Sequence, residues 1–307
     1  MPELCVGARR WPVPAGSNLL DALNAAGLAV PYSCRAGSCH ACLVRCLEGQ
    51  PADALPEAVE LEKYALGWRL ACQCRVVTDL QVALFDPLSD GRAAQVCGLH
   101  WFAEVLRLRI RPERPLRYRA GQHVLLWNGD VARPYSLASL PGEDDFLEFH
   151  IDCRRPGAFS DLARVLRVGD ELRLGELRGG ALHYDPDWQA RPLWLLAAGT
   201  GLAPLWGILR EALREGHEGE IKVVHVAQAH YLAEGLNALV AEHPQVSVEL
   251  IAVEQFQQAL AGLRLASRQT VALACGAPGS VEQFARRLFI AGLPRSQLLA
   301  DVFTEHV

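Results

Sequence analysis

The chain has 307 residues, half of them hydrophobic, and a formal charge of -5 from 30 basic and 35 acidic side chains interleaved along its length. That supplies enough apolar material for two or three packed domains, and the lack of a basic stripe excludes a nucleic-acid partner. The opening MPELCVGARRWPV has no charged-then-apolar export layout, and the run LWLLAA at 193–198 is far too short to cross a bilayer, so a cytoplasmic protein with no membrane partner is predicted.

LCVGARRWPVPAGSNLLDALNAAG reads as a short hairpin followed by a helix. Ser17 is the predicted N-cap, Leu19, Leu20 and Leu23 form one apolar face, and Gly27 ends the helix. CRAGSCHAC follows at 34–42, then WRLACQCRVVTDL, whose second half reads as a closing strand. The Pro-, Gly- and polar-rich DPLSDGRAAQ at 86–95 marks a boundary, giving a first domain over residues 1–90.

Ten cysteines in a reducing compartment do not make a disulfide scaffold, so a tight group of them points to metal or redox chemistry. Cys34, Cys39 and Cys42 are spaced C-x4-C-x2-C, with Cys72 and Cys74 offering a distant fourth thiolate. This is the plant-type spacing for a [2Fe-2S] cluster. The small residues Ala36, Gly37, Ser38 and Ala41 let backbone N–H groups approach the sulfurs. Structural zinc is the alternative, but its thiolates usually come as two close-spaced couples along the sequence.

From 96 to 190 the period changes to two. Leu106, Leu108 and Ile110 alternate with Arg107, Arg109 and Arg111, and Leu147, Phe149 and Ile151 alternate with Glu148, His150 and Asp152. Antiparallel strands with one wet face follow, in a small barrel or sandwich. From 191 to 307 the runs PLWLLAA, IKVVHV, VSVELIA and TVALA are almost wholly apolar and alternate with helical stretches, as in a parallel sheet covered on both faces. GTGLAP opens a helix behind the first of these strands, with Pro204 in its first turn. Gly199, Thr200 and Gly201 are therefore candidates to hold a dinucleotide pyrophosphate, and Cys275 and Gly276 stand at the carboxyl end of another strand, where such sheets bind ligands.

CRAGSCHAC with LACQ, RPYSLAS, PGAFSDL, GTGLAP, CGAP and the final ADVF together resemble the iron-sulfur flavoprotein reductases of bacterial oxygenase systems, within the ferredoxin-NADP reductase superfamily. The likeness covers nearly the whole chain. It implies a multidomain architecture: an N-terminal α+β ferredoxin (β-grasp) domain, an antiparallel β-barrel flavin domain and an α/β parallel-sheet nucleotide-binding domain. It also implies electron flow from NADH through FAD and [2Fe-2S] to a redox partner protein, an oxygenase component or similar acceptor.

Residue by residue, the resemblance favours Cys72 as the fourth cluster ligand. It gives Arg133 to the flavin pyrophosphate, Tyr135 to the ring and Ser136 to the reactive N5, counts Pro134 among the cofactor-binding residues, and leaves Gly157 and Ser160 to a phosphate at a helix start. It sets Cys275 beside the nicotinamide, with Gly276 next to it among the cofactor-binding residues, and Asp301 and Phe303 near the flavin, with catalytic roles of positioning rather than acid-base chemistry for Ser136, Cys275, Asp301 and Phe303. Departures are His40 in place of a loop glycine, Asp152 in place of an arginine, and VVHVAQAHYL, which lacks a Gly-x-Arg. No Arg/Lys cluster awaits a 2'-phosphate there, so NADH is favoured over NADPH. The rival reading is a redox sensor or electron carrier with impaired nucleotide oxidation.

Overall fold

Residues 1–179 and 181–303 are described by the computed structural model. Two compact units divide the chain by contact: Met1–Ala93 with Val124–Pro134 and Leu172–Arg178, and Ala94–His123 with Tyr135–Glu171 and Gly179–Val307.

In the first unit a five-stranded mixed sheet runs in the order Arg9–Pro12, Glu3–Val6, Leu80–Leu84, Leu43–Glu48, Trp68–Leu70. Glu3–Val6 pairs parallel with Leu80–Leu84, and the other pairs are antiparallel. Helix Leu19–Ala25 buries Leu19, Leu20 and Leu23 in a core with Leu4, Val44, Leu70 and Val82. Its N-cap is Asn18, not Ser17: the Asn18 side chain accepts from the Asp21 N–H, while the Ser17 hydroxyl donates to the Pro14 carbonyl. Both residues are good caps by type. Ser17 and Asn18 both pair in a small sheet, with Val76 and Arg75, so the strand runs up to the helix start at Leu19 and Asn18 is the residue placed to cap it. Gly27 ends the helix with positive φ, as predicted. Strands His123–Asn128, Val131–Ser136 and Glu171–Arg178 lie almost wholly in this unit.

In the second unit Val105–Pro112 is antiparallel to both Arg92–Phe102 and Leu147–Asp152, and Leu106, Leu108 and Ile110 face Ile151, Phe149 and Leu147 across the pair. All six are buried, as the alternation predicts. The opposite face departs from the expectation. Glu148 and His150 are 4% and 3% exposed: Tyr231 of the same unit packs on His150, and His150 and Arg109 in turn hold Glu148.

A five-stranded parallel sheet completes this unit, in the order Val246–Ala252, Ile221–Ala227, Leu193–Ala198, Val271–Gly276, Leu298–Val302. Leu193, Leu195 and Ala197 pack on one side with helix Leu202–Arg214, and Trp194 and Leu196 pack on the other with Phe256, Phe284 and Leu288. Both faces are dry, so the strands need apolar residues at every position. The chain winds outward from Leu193–Ala198 in one direction, then returns to lay Val271–Gly276 on its other side. The strand order therefore reverses between these two strands.

Arg69 is buried in the first unit, 3.8 Å from Asp53, with its guanidinium over the Tyr64 ring and bonded to the carbonyls of Tyr64 and Trp68. Arg69→Leu strands the Asp53 carboxylate away from solvent and is expected to cost about 3–5 kcal/mol. Urea unfolding followed by first-unit signals measures this, and adding Asp53→Asn is expected to recover part of the loss.

Candidate functional site

The cysteine loop bends through three left-handed residues, Arg35, Gly37 and His40, with φ of 51°, 85° and 55°. Only glycine takes this conformation freely, and for an ordinary side chain it costs about 1–2 kcal/mol. The bends turn amides toward sulfur. Cys34 Sγ accepts from the Ala36 and Cys39 N–H groups, each at 3.3 Å, and Cys39 Sγ accepts from the Cys34 N–H at 3.5 Å.

The sulfurs stand as two couples. The Cys39 thiol donates to Cys34, which, with further donors and against burial, brings Cys34 down to about 4 and pushes Cys39 up. The Cys42 thiol does the same for Cys72, lowering it to about 7 against burial, and the Gln73 amide adds a bond at 3.3 Å. Among the described residues no three His, Cys, Asp or Glu side chains are grouped as ligands of one metal ion. The amides turned toward Cys34 and Cys39 suit the negative sulfurs of an iron-sulfur cluster held at the plant-type spacing.

Cys74 lies apart. A strand through residues 72 and 74 would put both side chains on one face, but Ala71–Gln73 is a 3-10 turn and the strand begins at Cys74. Cys74 is wholly buried among the apolar core residues, where burial pushes its thiol up. Cys39 and Ala41 pack in the first unit against Leu125, Trp127 and Ala132, and Phe85 stacks on Trp127 at 5.5 Å and 16°.

On the strand Val131–Ser136, Arg133 is half-buried and donates to the Ala132 carbonyl at 2.8 Å, and Pro134 follows it, also half-buried. In the second unit Tyr135 packs its ring 5.0 Å from Phe159, and Ser136 is buried. Gly157 caps the helix Ala158–Arg164 with no side-chain bond, which leaves its opening amides uncapped. Ser160 does not precede that helix. It lies in the first turn and donates to the carbonyls of Arg155 and Gly157, each at 3.1 Å.

The nucleotide candidates converge at the reversal point of the parallel sheet. A Cβ on Gly201 would stand 2.2 Å from the Cys275 carbonyl oxygen, and one on Gly276 would stand 2.5 Å from that of Ala198. The two strand ends therefore interlock through bare backbone. Gly199 and Thr200 form the turn before them, with Gly199 at φ +57°, and Pro204 is buried in the first turn of the helix beyond. Cys275 is fully buried, and burial, reinforced by Asp301, pushes its thiol well up. Asp301 sits opposite Cys275 in the strand register and is itself raised by burial, against the pull of His123. The Phe303 N–H donates to the Gly276 carbonyl at 2.9 Å.

Three neighbours of this turn escaped the sequence reading. Arg154 holds Asp152 and the Gln228 side chain, and its guanidinium lies 3.8 Å from where a Gly199 Cβ would be. It brings a cation near the turn although Asp152 occupies the expected arginine position. His225 is wholly buried with Nε2 3.0 Å from the Gly199 carbonyl, and His230 Nδ1 lies 3.4 Å from His225 Nδ1. Two histidines in so apolar a segment as VVHVAQAH were the signal available.

The 2Fe-2S iron-sulfur cluster binding domain family matches residues 7–77, and the oxidoreductase NAD-binding domain family matches residues 195–286. The reductase component of the Pseudomonas putida naphthalene 1,2-dioxygenase system, a ferredoxin–NAD(P)(+) reductase, is 30% identical over 95% of each chain. The reductase subunit of an Amycolatopsis aromatic O-demethylase is 34% identical over 72% of this chain and 70% of its own. Among solved structures, an Amycolatopsis cytochrome P450 reductase superposes over 99% of both chains with a TM-score of 0.67 and 26% identity.

Cys72→Ser is expected to abolish visible iron-sulfur absorbance while Cys74→Ser retains it, as read from spectra and iron content of the purified proteins. Burial holds His225 near 4, below its ordinary 6.5. The folded imidazole stays neutral where the unfolded one takes a proton, so its contribution to stability is complete above pH 6.5 and is lost between 6.5 and about 4. His225→Leu is expected to reduce the slope of stability against pH in that window by about 1.4 kcal/mol per unit, measured by urea titration at several pH values.

Proposed function

The chain belongs to the family of ferredoxin–NAD(P)(+) reductase components of oxygenase systems, and from that premise we propose that it oxidises NADH and delivers single electrons to a partner oxygenase component or similar redox acceptor. When bound, FAD supplies the conversion of a hydride into single electrons and [2Fe-2S] supplies the one-electron outlet. The observation that carries this reading is the cysteine loop, whose Ala36 and Cys39 amides point at Cys34 Sγ and whose Cys34 amide points at Cys39 Sγ, in the unit that also holds Arg133.

We assign the cluster to Cys34, Cys39, Cys42 and Cys72, where inward amides meet the negative charge of the sulfurs. FAD is assigned to Arg133, Pro134, Tyr135, Ser136, Gly157 and Ser160. A half-buried guanidinium, a ring face and uncapped amides suit its phosphates and flavin. NADH is assigned to Gly199, Thr200, Gly201, Pro204, Cys275 and Gly276. Gly199, with no side chain, leaves the turn open to a pyrophosphate at the amides that open the helix Leu202–Arg214, and Gly201 and Gly276 let the strand ends pack close behind it. Held neutral by burial, Cys275 acts as a wall beside the nicotinamide and not as an acid or base. Ser136, Asp301 and Phe303 complete the positioning set.

We assign residues 1–90 to the ferredoxin domain, 96–190 to the flavin domain and 191–307 to the nucleotide domain. No described helix is long and apolar enough to cross a membrane, and all ten cysteines are free, which suits the cytoplasm. The intact glycine interlock favours a working nucleotide site over the carrier reading. Anaerobic titration with NADH, followed by visible absorption, is expected to bleach the flavin and then the broad cluster absorbance. Flavin that NADH leaves oxidised would replace this reading with the carrier.

A further inference from the structure

The turn at Gly199 is gripped from beneath. Its carbonyl accepts the Leu202 N–H that starts the helix and also faces His225 Nε2 at 3.0 Å. A carbonyl only accepts, so Nε2 carries the imidazole proton and donates. Nδ1 is then bare, and His230 Nδ1–H, at 3.4 Å, is the donor toward it. His225 is thus a neutral imidazole in one tautomer, consistent with its zero exposure.

A second buried chain stands beside the first. The Tyr231 ring meets the His225 ring edge-on at 5.6 Å and 88°. Its hydroxyl donates to His150 Nδ1 at 3.0 Å, and His150 Nε2–H donates to Glu148 at 3.0 Å. Glu148 also accepts from Arg109 at 2.6 Å and lies 3.8 Å from Arg107. Burial pushes the Glu148 carboxyl up, but the bonds from His150 and Arg109 outweigh it and hold it at about 2. His150 is kept neutral by its own burial. The ring that backs His225 is therefore pinned by a carboxylate anchored on two arginines of the strand Val105–Pro112.

We propose that His225 is a positioning residue for NADH: by donating to the Gly199 carbonyl it fixes the left-handed turn that presents the opening amides of the Leu202–Arg214 helix to the dinucleotide pyrophosphate. The Tyr231–His150–Glu148 chain holds the imidazole in place. This deepens the assignment of that turn to NADH and rests on it. His225 touches neither substrate nor cofactor, so it acts on binding and not on the chemical step.

The test compares His225→Gln with His225→Asn in the full chain loaded with flavin and cluster. A Gln side-chain amide reaches the place of Nε2, while that of Asn stops near the place of Nδ1. Anaerobic stopped-flow bleaching of the flavin over a range of NADH concentrations separates the Kd for NADH from the limiting rate. The expected result is a Kd within about 2-fold of the unsubstituted protein for Gln and raised about 10-fold for Asn, the loss of one buried hydrogen bond. Limiting rate, flavin content and cluster absorbance are expected to stay unchanged in both. Equal Kd values for the two variants, a fall in limiting rate at constant Kd, or loss of fold or flavin in both alike would overturn the inference. If NADH fails to bleach the unsubstituted protein, the assignment of the turn to NADH falls and this inference falls with it; normal bleaching there with equal variants sinks the inference alone.

Discussion

Taking sulfur that must carry negative charge out of water is the constraint on which the first unit is built. A thiolate loses its hydration when it is buried, and only amides turned toward it can replace the lost bonds. The loop from 34 to 42 meets this requirement by bending through Arg35, Gly37 and His40, all left-handed, so that the Ala36 and Cys39 amides point at Cys34. His40 accepts conformational strain that a glycine would avoid. The packing of Cys39 and Ala41 on Leu125, Trp127 and Ala132 excludes water from the same side, and the Gln73 amide joins Cys72 Sγ to the Arg35 carbonyl, tying the distant cysteine to the loop.

The second unit solves a different problem with the same economy of side chains. A dinucleotide phosphate must approach backbone amides closely, so the place it enters has to be free of Cβ atoms and yet rigid. Gly201 and Gly276 let the two strand ends close on each other, since a Cβ on either would strike a carbonyl oxygen of the neighbouring end, while Gly199 keeps the turn itself free of a side chain. Rigidity comes from below, where His225 and the buried chain of Tyr231, His150 and Glu148 hold the turn. Buried polar groups of this kind are stable only when each donor meets an acceptor, which fixes the tautomers as well as the positions.

Patterns along one stretch of chain were legible to the extent that their physics is local. The helix at Leu19–Ala25, the inward residues of Leu106 to Ile110 and the two-faced burial of the parallel strands follow from side-chain period, and the structure has them where the period put them. The wet face assigned to Glu148 and His150 failed for a nonlocal reason. Period two separates the faces of a strand but says nothing of what covers each face, and Tyr231, some eighty positions later, packs on His150 of this one.

The sequence by itself determined the chemistry of the chain: three cysteines at fixed short spacing, a glycine turn behind a buried strand, and an arginine, tyrosine and serine in one run. The cysteine spacing has few other uses, whereas the glycine turn and the Arg-Pro-Tyr-Ser run are common singly and point to this chemistry only by standing in this order along one chain. Tertiary structure decided that Cys72 and Cys74 part company, since Ala71–Gln73 is a 3-10 turn and Cys74 begins a strand buried in the apolar core. It also decided that Arg154 and His225 flank Gly199. Those are meetings of residues tens of positions apart, set by the winding order of the sheet and by burial, and no local period encodes them.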